Sequence, residues 1–101
     1  MGILSLLFGQ KTKVDLSELI ANGAQIIDVR SPAEFKGGHL KKSVNIPLDK
    51  LSTSIKKISK EKPVITCCAS GMRSSSAKSI LQKAGFDVHN GGPWTNLKKF
   101  Q

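Results

Sequence analysis

Five short apolar runs alternate with helical patterns along this 101-residue chain, and no other feature constrains its fold as strongly. Such alternation is typical of a parallel sheet that helices cover on both faces. The clearest candidate strands are residues 25–29, 43–46, 64–67 and 86–89. The sequence therefore predicts an α/β fold with a central, mainly parallel, five-stranded sheet and helices on both faces.

A chain of this length is long enough for one domain with a real core and too short for two. Residues 11–101 are predicted to form that domain, and residues 1–10 are predicted to be an apolar leader. The leader has no basic stretch, no small-residue cleavage site and far too few residues for a membrane span. We therefore expect neither a secretory signal nor firm membrane association.

The chain is strongly basic, with 16 Lys and Arg against 7 Asp and Glu and a net charge of +9. Much of the excess lies in Lys56, Lys57, Lys60 and Lys62, which interrupt a helical pattern and lead into a turn. Few aromatic residues accompany them, and no nucleic-acid-binding motif occurs. We interpret these lysines as a solvated face with no nucleic-acid partner, whose field raises the local concentration of small anions.

The two cysteines of the chain, Cys67 and Cys68, are adjacent. They supply no disulfide framework, and free thiols favour a reducing, cytoplasmic setting. Together with the scattered His39 and His89 they do not have the spacing of a metal site. We expect chemistry that uses neither a metal nor a cofactor.

Segment 64–74 brings an apolar run to Cys68, crosses a loop of small residues and reaches Arg73 where a helix is expected to begin. A helix N-terminus presents unpaired backbone N–H groups and the positive end of the helix dipole. Both features, with a guanidinium nearby, lower the pKa of a thiol and raise its thiolate fraction. Cys68 is therefore the candidate nucleophile, whereas Cys67 is explained as a buried hydrophobe.

Asp28 and Arg30 follow another predicted strand and so reach the edge of the sheet where ligands of α/β proteins gather. In one interpretation the pair contacts the substrate. In the other the pair is structural: Asp28 accepts loop N–H groups, and Arg30 pairs with Glu34 four residues further on. The structural interpretation is favoured.

Several short motifs follow one another in the order typical of single-domain rhodaneses, and the chain resembles that family over residues 14–100. DVRSPAEF at 28–35 is similar to the family's D-V-R-x-x-x-E-[FY] segment. GHL at 38–40, NIP at 45–47 and GGPW at 91–94 resemble three further family motifs. CASGMRS at 68–74 is similar to the C-x-S-G-x-R-S loop and is the most specific of them. The chain departs from the family pattern at Cys67 and Ala69, where an aromatic and a polar residue are common.

The resemblance implies a rhodanese-like fold and a sulfurtransferase that works through a persulfide on Cys68. The Cys68 thiolate takes the outer sulfur of thiosulfate or of a persulfide, and cyanide or a thiol then accepts it. A protein sulfur carrier is a further candidate partner. Asp28 and Arg30 support the site, although Ser74 is explained equally well as a helix cap. The residues assigned to substrate or persulfide binding are Ala69, Ser70, Gly71, Met72, Arg73 and Ser74.

Two other functions stay open. Counted from Cys67, the loop reads C-x5-R, the spacing of cysteine phosphatases and of related arsenate reductases. Counted from Cys68, it reads C-x4-R, which we prefer because Ser-Gly-x-Arg-Ser fits that register and because Thr66 stands where phosphatases have His. A non-catalytic module that binds a partner through its basic surface is the second alternative.

Overall fold

The computed structural model describes residues 15–101, which form a four-stranded sheet in which all neighbouring strands are parallel. The spatial order is β2-β1-β3-β4. The strands are β1 Gln25–Asp28, β2 Ser43–Asn45, β3 Val64–Cys68 and β4 Val88–Pro93. The predicted parallel α/β architecture is confirmed, but residues 15–101 contain four strands where five were expected. The expected leader, residues 1–10, lies outside the described residues.

Helices connect the strands and cover both faces of the sheet. The α-helices are α1 Leu16–Ala21, α2 Pro32–Lys36, α3 Leu48–Leu51 and α4 Met72–Lys83. Two 3₁₀ segments, Ile55–Lys57 and Trp94–Phe100, complete the structure. Within residues 15–101, none of the helices has the length and apolar character needed to cross a membrane.

Helix α3 is shorter than its sequence pattern, in which apolar residues recur at helical spacing from Leu48 to Ile58. It ends at Leu51, and the chain continues through Ser52, Thr53 and Ser54 before the 3₁₀ segment. Hydroxyl side chains compete with the backbone for hydrogen bonds, as Thr53 does when its Oγ1 donates to the carbonyl of Lys50 at 3.0 Å. The apolar periodicity therefore marks a buried face that spans two short helices.

Two hydrophobic clusters lie on opposite faces of the sheet. One contains Cys68, Leu51 and Leu81 and packs α3 and α4 against the sheet. The other contains Cys67, Ile65 and Leu97 and packs α1 and the C-terminal 3₁₀ segment. Because side chains alternate along a strand, the two neighbouring thiols enter different cores.

The carboxyl ends of the strands meet at one edge of the sheet. In register, Asp28 lies beside Asn45 on one side and beside Cys67 on the other. Cys68 lies beside Pro93, after an irregularity in the pairing of β3 with β4. The fold therefore brings the ends of all four strands to the same edge of the sheet as Cys68, where ligands bind in this class of sheet.

Candidate active site

The sulfur of Cys68 lies inside a ring of hydrogen-bonding groups from the loop that follows β3. The backbone N–H of Gly71 points at Sγ with an N···S distance of 2.9 Å, and that of Ser74 with 3.4 Å. The hydroxyl of Ser74 is 3.5 Å from the same sulfur. Cys68 itself has no exposed surface, while Ala69 and Ser70 above it are exposed. The loop thus forms a small cradle for negative charge on the sulfur.

Gly71 makes this turn possible. Its φ of 103° is left-handed, a conformation that glycine adopts without the clash that a Cβ would introduce. A Cβ at this position would also lie 3.4 Å from the Cα of Gly92 on the neighbouring strand. Gly71 is also the residue before α4, so the helix begins at Met72 and the N–H of Ser74 in its first turn reaches the sulfur.

The two adjacent cysteines have opposite pKa shifts. Burial raises the pKa of Cys68, but hydrogen bonds from the Ser74 side chain and from backbone N–H groups outweigh it, so the pKa lies below its ordinary value. For Cys67, burial and the nearby Asp28 carboxylate raise the pKa to about 12. Only Cys68 therefore has the surroundings of a nucleophilic thiolate, which favours the C-x4-R register.

Arg73 connects the end of the loop to helix α2 through an ion pair with Glu34. Its Nη1 and Nη2 donate to the two carboxylate oxygens of Glu34 at 2.7 and 3.0 Å. This bidentate pair links α4 to α2 and, with the Ser31 backbone, lowers the pKa of Glu34 to about 2. Among residues 15–101, no hydrogen bond joins Arg73 to Cys68, so its guanidinium acts on the sulfur only through its field.

Asp28 and Arg30 form a buried ion pair. The Nε and Nη2 of Arg30 donate to the Asp28 carboxylate at 2.9 and 2.7 Å, and its Nη2 also donates to the carbonyl of Gly38. The expected side-chain pair between Arg30 and Glu34 is wrong. The nearer Asp28 holds Arg30, which reaches only the backbone carbonyl of Glu34, while the Glu34 carboxylate turns to Arg73.

Ser74 lies in the first turn of α4 and does not cap it, because the helix begins two residues earlier. The helix-cap interpretation is therefore wrong, and the hydroxyl lies 3.5 Å from the sulfur of Cys68. Its other neighbour is Asn90 of β4, whose Oδ1 is 2.6 Å from the Ser74 hydroxyl.

Sequence reasoning missed two residues that shape this site, Asn90 and the Arg73 partner Glu34. Each had a local signal. Asn90 directly precedes the Gly-Gly motif at 91–92, and Glu34 is the second acidic residue of the motif at 28–35. Neither signal identifies a partner that lies many residues away in the chain.

The outer surface of the loop carries no charge of its own. Met72 is 78% exposed, and Ala69 and Ser70 are exposed beside it. An open cleft of about 330 Å³ lies next to Arg73 and is also bordered by Ser31 and Asp49. A larger apolar cavity of about 490 Å³ has none of the predicted site residues in its walls.

The two histidines lie apart from the thiol. His39 stacks on Phe35 and bonds to its carbonyl, and His89 pairs with Asp87. Across the part of the chain that the structure describes, no three His, Cys, Asp or Glu residues are grouped as a metal site requires.

A comparison of this sequence with known protein families identifies the family to which the fold and the loop belong. The rhodanese-like domain family matches residues 12–92, and this chain belongs to that family. The resemblance drawn from the motifs is thereby confirmed.

Two curated relatives and one solved structure illustrate the similarity. The uncharacterized protein YqhL of Bacillus subtilis is 45% identical over 62 residues, which cover 61% of this chain and 49% of YqhL. Thiosulfate sulfurtransferase GlpE of Pseudomonas syringae is 33% identical over 69 residues, covering 67% of this chain and 65% of GlpE. A solved rhodanese with anions from E. coli is 31% identical, with a TM-score of 0.68 over 73% of this chain and 91% of that one. The chain thus spans about half of YqhL and just under two thirds of GlpE.

Proposed function

We propose that this protein is a rhodanese-type sulfurtransferase that carries a sulfane sulfur as a persulfide on Cys68. The observation that carries the proposal is the cradle of N–H groups around one sulfur atom, with Gly71 N and Ser74 N at 2.9 and 3.4 Å from Sγ. Those donors stabilise the thiolate before the reaction and an anionic outer sulfur after it.

The chemistry divides into two displacement steps. The Cys68 thiolate attacks the outer sulfur of thiosulfate, a new S–S bond forms, and sulfite leaves with the electron pair of the broken S–S bond. Cyanide then attacks the outer sulfur of the persulfide and leaves as thiocyanate, which returns Cys68 to the thiolate. A thiol acceptor takes the sulfur in the same way and becomes a persulfide.

The donor in the cell is a small sulfane-sulfur compound, thiosulfate or a persulfide, and the acceptor is a thiol, cyanide or a protein sulfur carrier. The role of Ala69, Ser70, Gly71, Met72, Arg73 and Ser74 is to bind and shield the transferred sulfur, mainly through backbone N–H groups. The thiols of Cys67 and Cys68 are both free, in keeping with a reducing, cytoplasmic setting.

Intact mass after incubation with thiosulfate tests this function. We expect the parent protein and Cys67→Ser to gain one sulfur atom that cyanide removes, and Cys68→Ser to gain none while keeping its circular dichroism spectrum. Cys67→Ser is the matched control, because it changes the neighbouring thiol in the other core. Sulfur uptake that is lost only in Cys67→Ser would point to the C-x5-R register, and uptake by neither thiol would overturn the proposed sulfur transfer and leave the phosphatase-like and binding-module alternatives.

A further inference from the structure

The hydroxyl of Ser74 has one proton and three possible acceptors. The Oδ1 of Asn90 is 2.6 Å away, the carbonyl oxygen of Gly71 is 3.1 Å away, and the sulfur of Cys68 is 3.5 Å away. A hydroxyl donates one hydrogen bond at a time. A thiolate on Cys68 can therefore accept a hydrogen bond from Ser74 only when the hydroxyl no longer donates to Asn90 or to the Gly71 carbonyl, and Asn90 is the nearer of the two.

The orientation of the Asn90 amide decides this competition. Its Oδ1 accepts the backbone N–H of Gly92 at 2.9 Å, and its Nδ2 donates to the carbonyl of Gly71 at 3.4 Å. A backbone N–H only donates and a carbonyl only accepts, so these two contacts fix which end of the amide is oxygen. The oxygen thus faces Ser74, and Ser74 has to be the donor in the short contact between them.

With its proton directed at Asn90, Ser74 presents a lone pair to the sulfur of Cys68. A lone pair accepts from a protonated thiol and does nothing for a thiolate. Going from thiol to thiolate then requires the Ser74 hydroxyl to rotate and to give up its shortest hydrogen bond. The contact between Asn90 and Ser74 therefore opposes deprotonation, although Ser74 itself assists it once the hydroxyl has turned.

We propose that Asn90 is a positioning residue that restrains the Ser74 proton and so limits the thiolate fraction of Cys68 at rest. The inference rests on the proposed function, in which Cys68 is the reacting group. The role of Asn90 is then to regulate that site, because a substrate anion or the Cys68 thiolate must compete with Asn90 for the hydrogen bond from the Ser74 hydroxyl. In the absence of Asn90 the same loop would give a more ionised and more readily oxidised cysteine.

The charged and titratable groups near Cys68 come from three elements. Arg73 on α4 acts on the sulfur through its field, although Glu34 pairs with it. Cys67 is the next residue along β3 and interacts electrostatically with Cys68. On β4, His89 is paired with Asp87 and lies beside Ile65, three residues before Cys68. Asn90 and Ser74 are uncharged, so replacing them leaves all of these charges in place.

The test is a thiolate titration by ultraviolet absorbance, in a Cys67→Ser background so that one thiol is observed. We expect Asn90→Ala to move the midpoint to lower pH and to raise the rate of alkylation at a pH below the midpoint about twofold to tenfold, the size of one net hydrogen bond. Ser74→Ala is expected to move the midpoint to higher pH. Combined with Ser74→Ala, Asn90→Ala is expected to have no further effect.

A second variant is the control for a loss of structure in the loop. Asn90→Ser keeps a hydroxyl to accept the Gly92 N–H but is too short to hold Ser74, and we expect it to shift the midpoint in the same direction as Asn90→Ala. An unchanged or higher midpoint in both variants would overturn the proposal. So would an Asn90→Ala shift that persists in the Ser74→Ala background, because it would show a structural effect that does not pass through the hydroxyl. The titration uses no sulfur donor, so its result is independent of whether the protein transfers sulfur.

Discussion

At the scale of the residue, Cys67 and Cys68 show how position alone separates two identical side chains. Both are fully buried, yet Cys67 lies among apolar groups near Asp28, while Cys68 receives the N–H groups of a helix N-terminus. Desolvation dominates for the first, and hydrogen bonding outweighs it for the second. The chemistry of this chain therefore depends on which face of β3 a thiol occupies.

Selective alkylation follows from this difference. We expect iodoacetamide at neutral pH to modify Cys68 and to leave Cys67 unmodified in the folded protein, because a pKa of about 12 leaves almost no Cys67 thiolate. Peptide mapping of the alkylated protein locates the label, and unfolding in denaturant provides the control in which both thiols react. Equal labelling of the two cysteines in the folded state would contradict the assignment.

The pair of Glu34 with Arg73 predicts a specific pH dependence. The pKa of Glu34 is lowered from 4.5 to about 2 in the folded state, so the pair stabilises the fold above pH 4.5 and this contribution is lost as the pH falls toward 2. We expect Glu34→Gln to be destabilising at pH 7 and to reduce the loss of stability between these two pH values. Both side chains are more than a third exposed, so the effect is small and weakens with salt. Denaturant unfolding at a series of pH values measures it, and parallel pH profiles for parent and variant would contradict it.

At the scale of the element, strand, loop and helix form one unit around Cys68. Within this unit, Thr66 joins β3 to α4, because its Oγ1 donates to the carbonyl of Ser74 at 2.9 Å. Gly71 turns the chain between strand and helix in a left-handed conformation. The position of the N–H donors is therefore a property of the whole turn.

Gly71→Ala tests the turn, and Gly23→Ala is its matched control. Both glycines are left-handed, with φ of 103° and 95°, so each substitution is expected to cost about 1–2 kcal/mol of stability. Only the Cβ at position 71 would meet another backbone atom, since nothing lies within 4 Å at position 23. We expect Gly71→Ala alone to slow alkylation of Cys68, because its N–H moves away from the sulfur. A similar alkylation rate in both variants would show that the turn does not place this donor.

At the scale of the whole molecule, the net charge of +9 contrasts with an uncharged loop. The two arginines nearest the site are each paired with a carboxylate, Arg30 with Asp28 and Arg73 with Glu34. If the proposed anionic donor is used, we expect its attraction to depend on the diffuse field of the surface, which helps encounter and decays over about 10 Å at roughly 0.1 M salt.

Steady-state kinetics over a range of ionic strength tests this dependence. We expect modest activity with thiosulfate, a KM for thiosulfate that rises with added salt, and better use of a persulfide or protein-borne sulfur donor. A circular dichroism spectrum at each ionic strength is the control for effects of salt on the protein itself. Efficient thiosulfate turnover that is insensitive to salt would indicate a dedicated anion pocket.

Local patterns in the sequence determined most of the fold and the position of the thiol. Alternating apolar runs specify parallel strands joined by helices, and the C-x-S-G-x-R-S motif specifies a turn, because these signals arise between residues close together in the chain. The same locality explains why the α3 pattern continued past the end of the helix. Periodicity records which residues are buried and not which element they occupy.

Only the tertiary structure decided the partners around the sulfur. Arg73 pairs with Glu34, 39 residues earlier in the chain, and Ser74 pairs with Asn90 on another strand. Such contacts depend on how α2, α4 and β4 pack around β3, and no spacing in the sequence encodes those distances. The sequence by itself determined that Cys68 would end a strand beside a helix N-terminus. The packing of separate elements decided which groups compete for its hydrogen bonds.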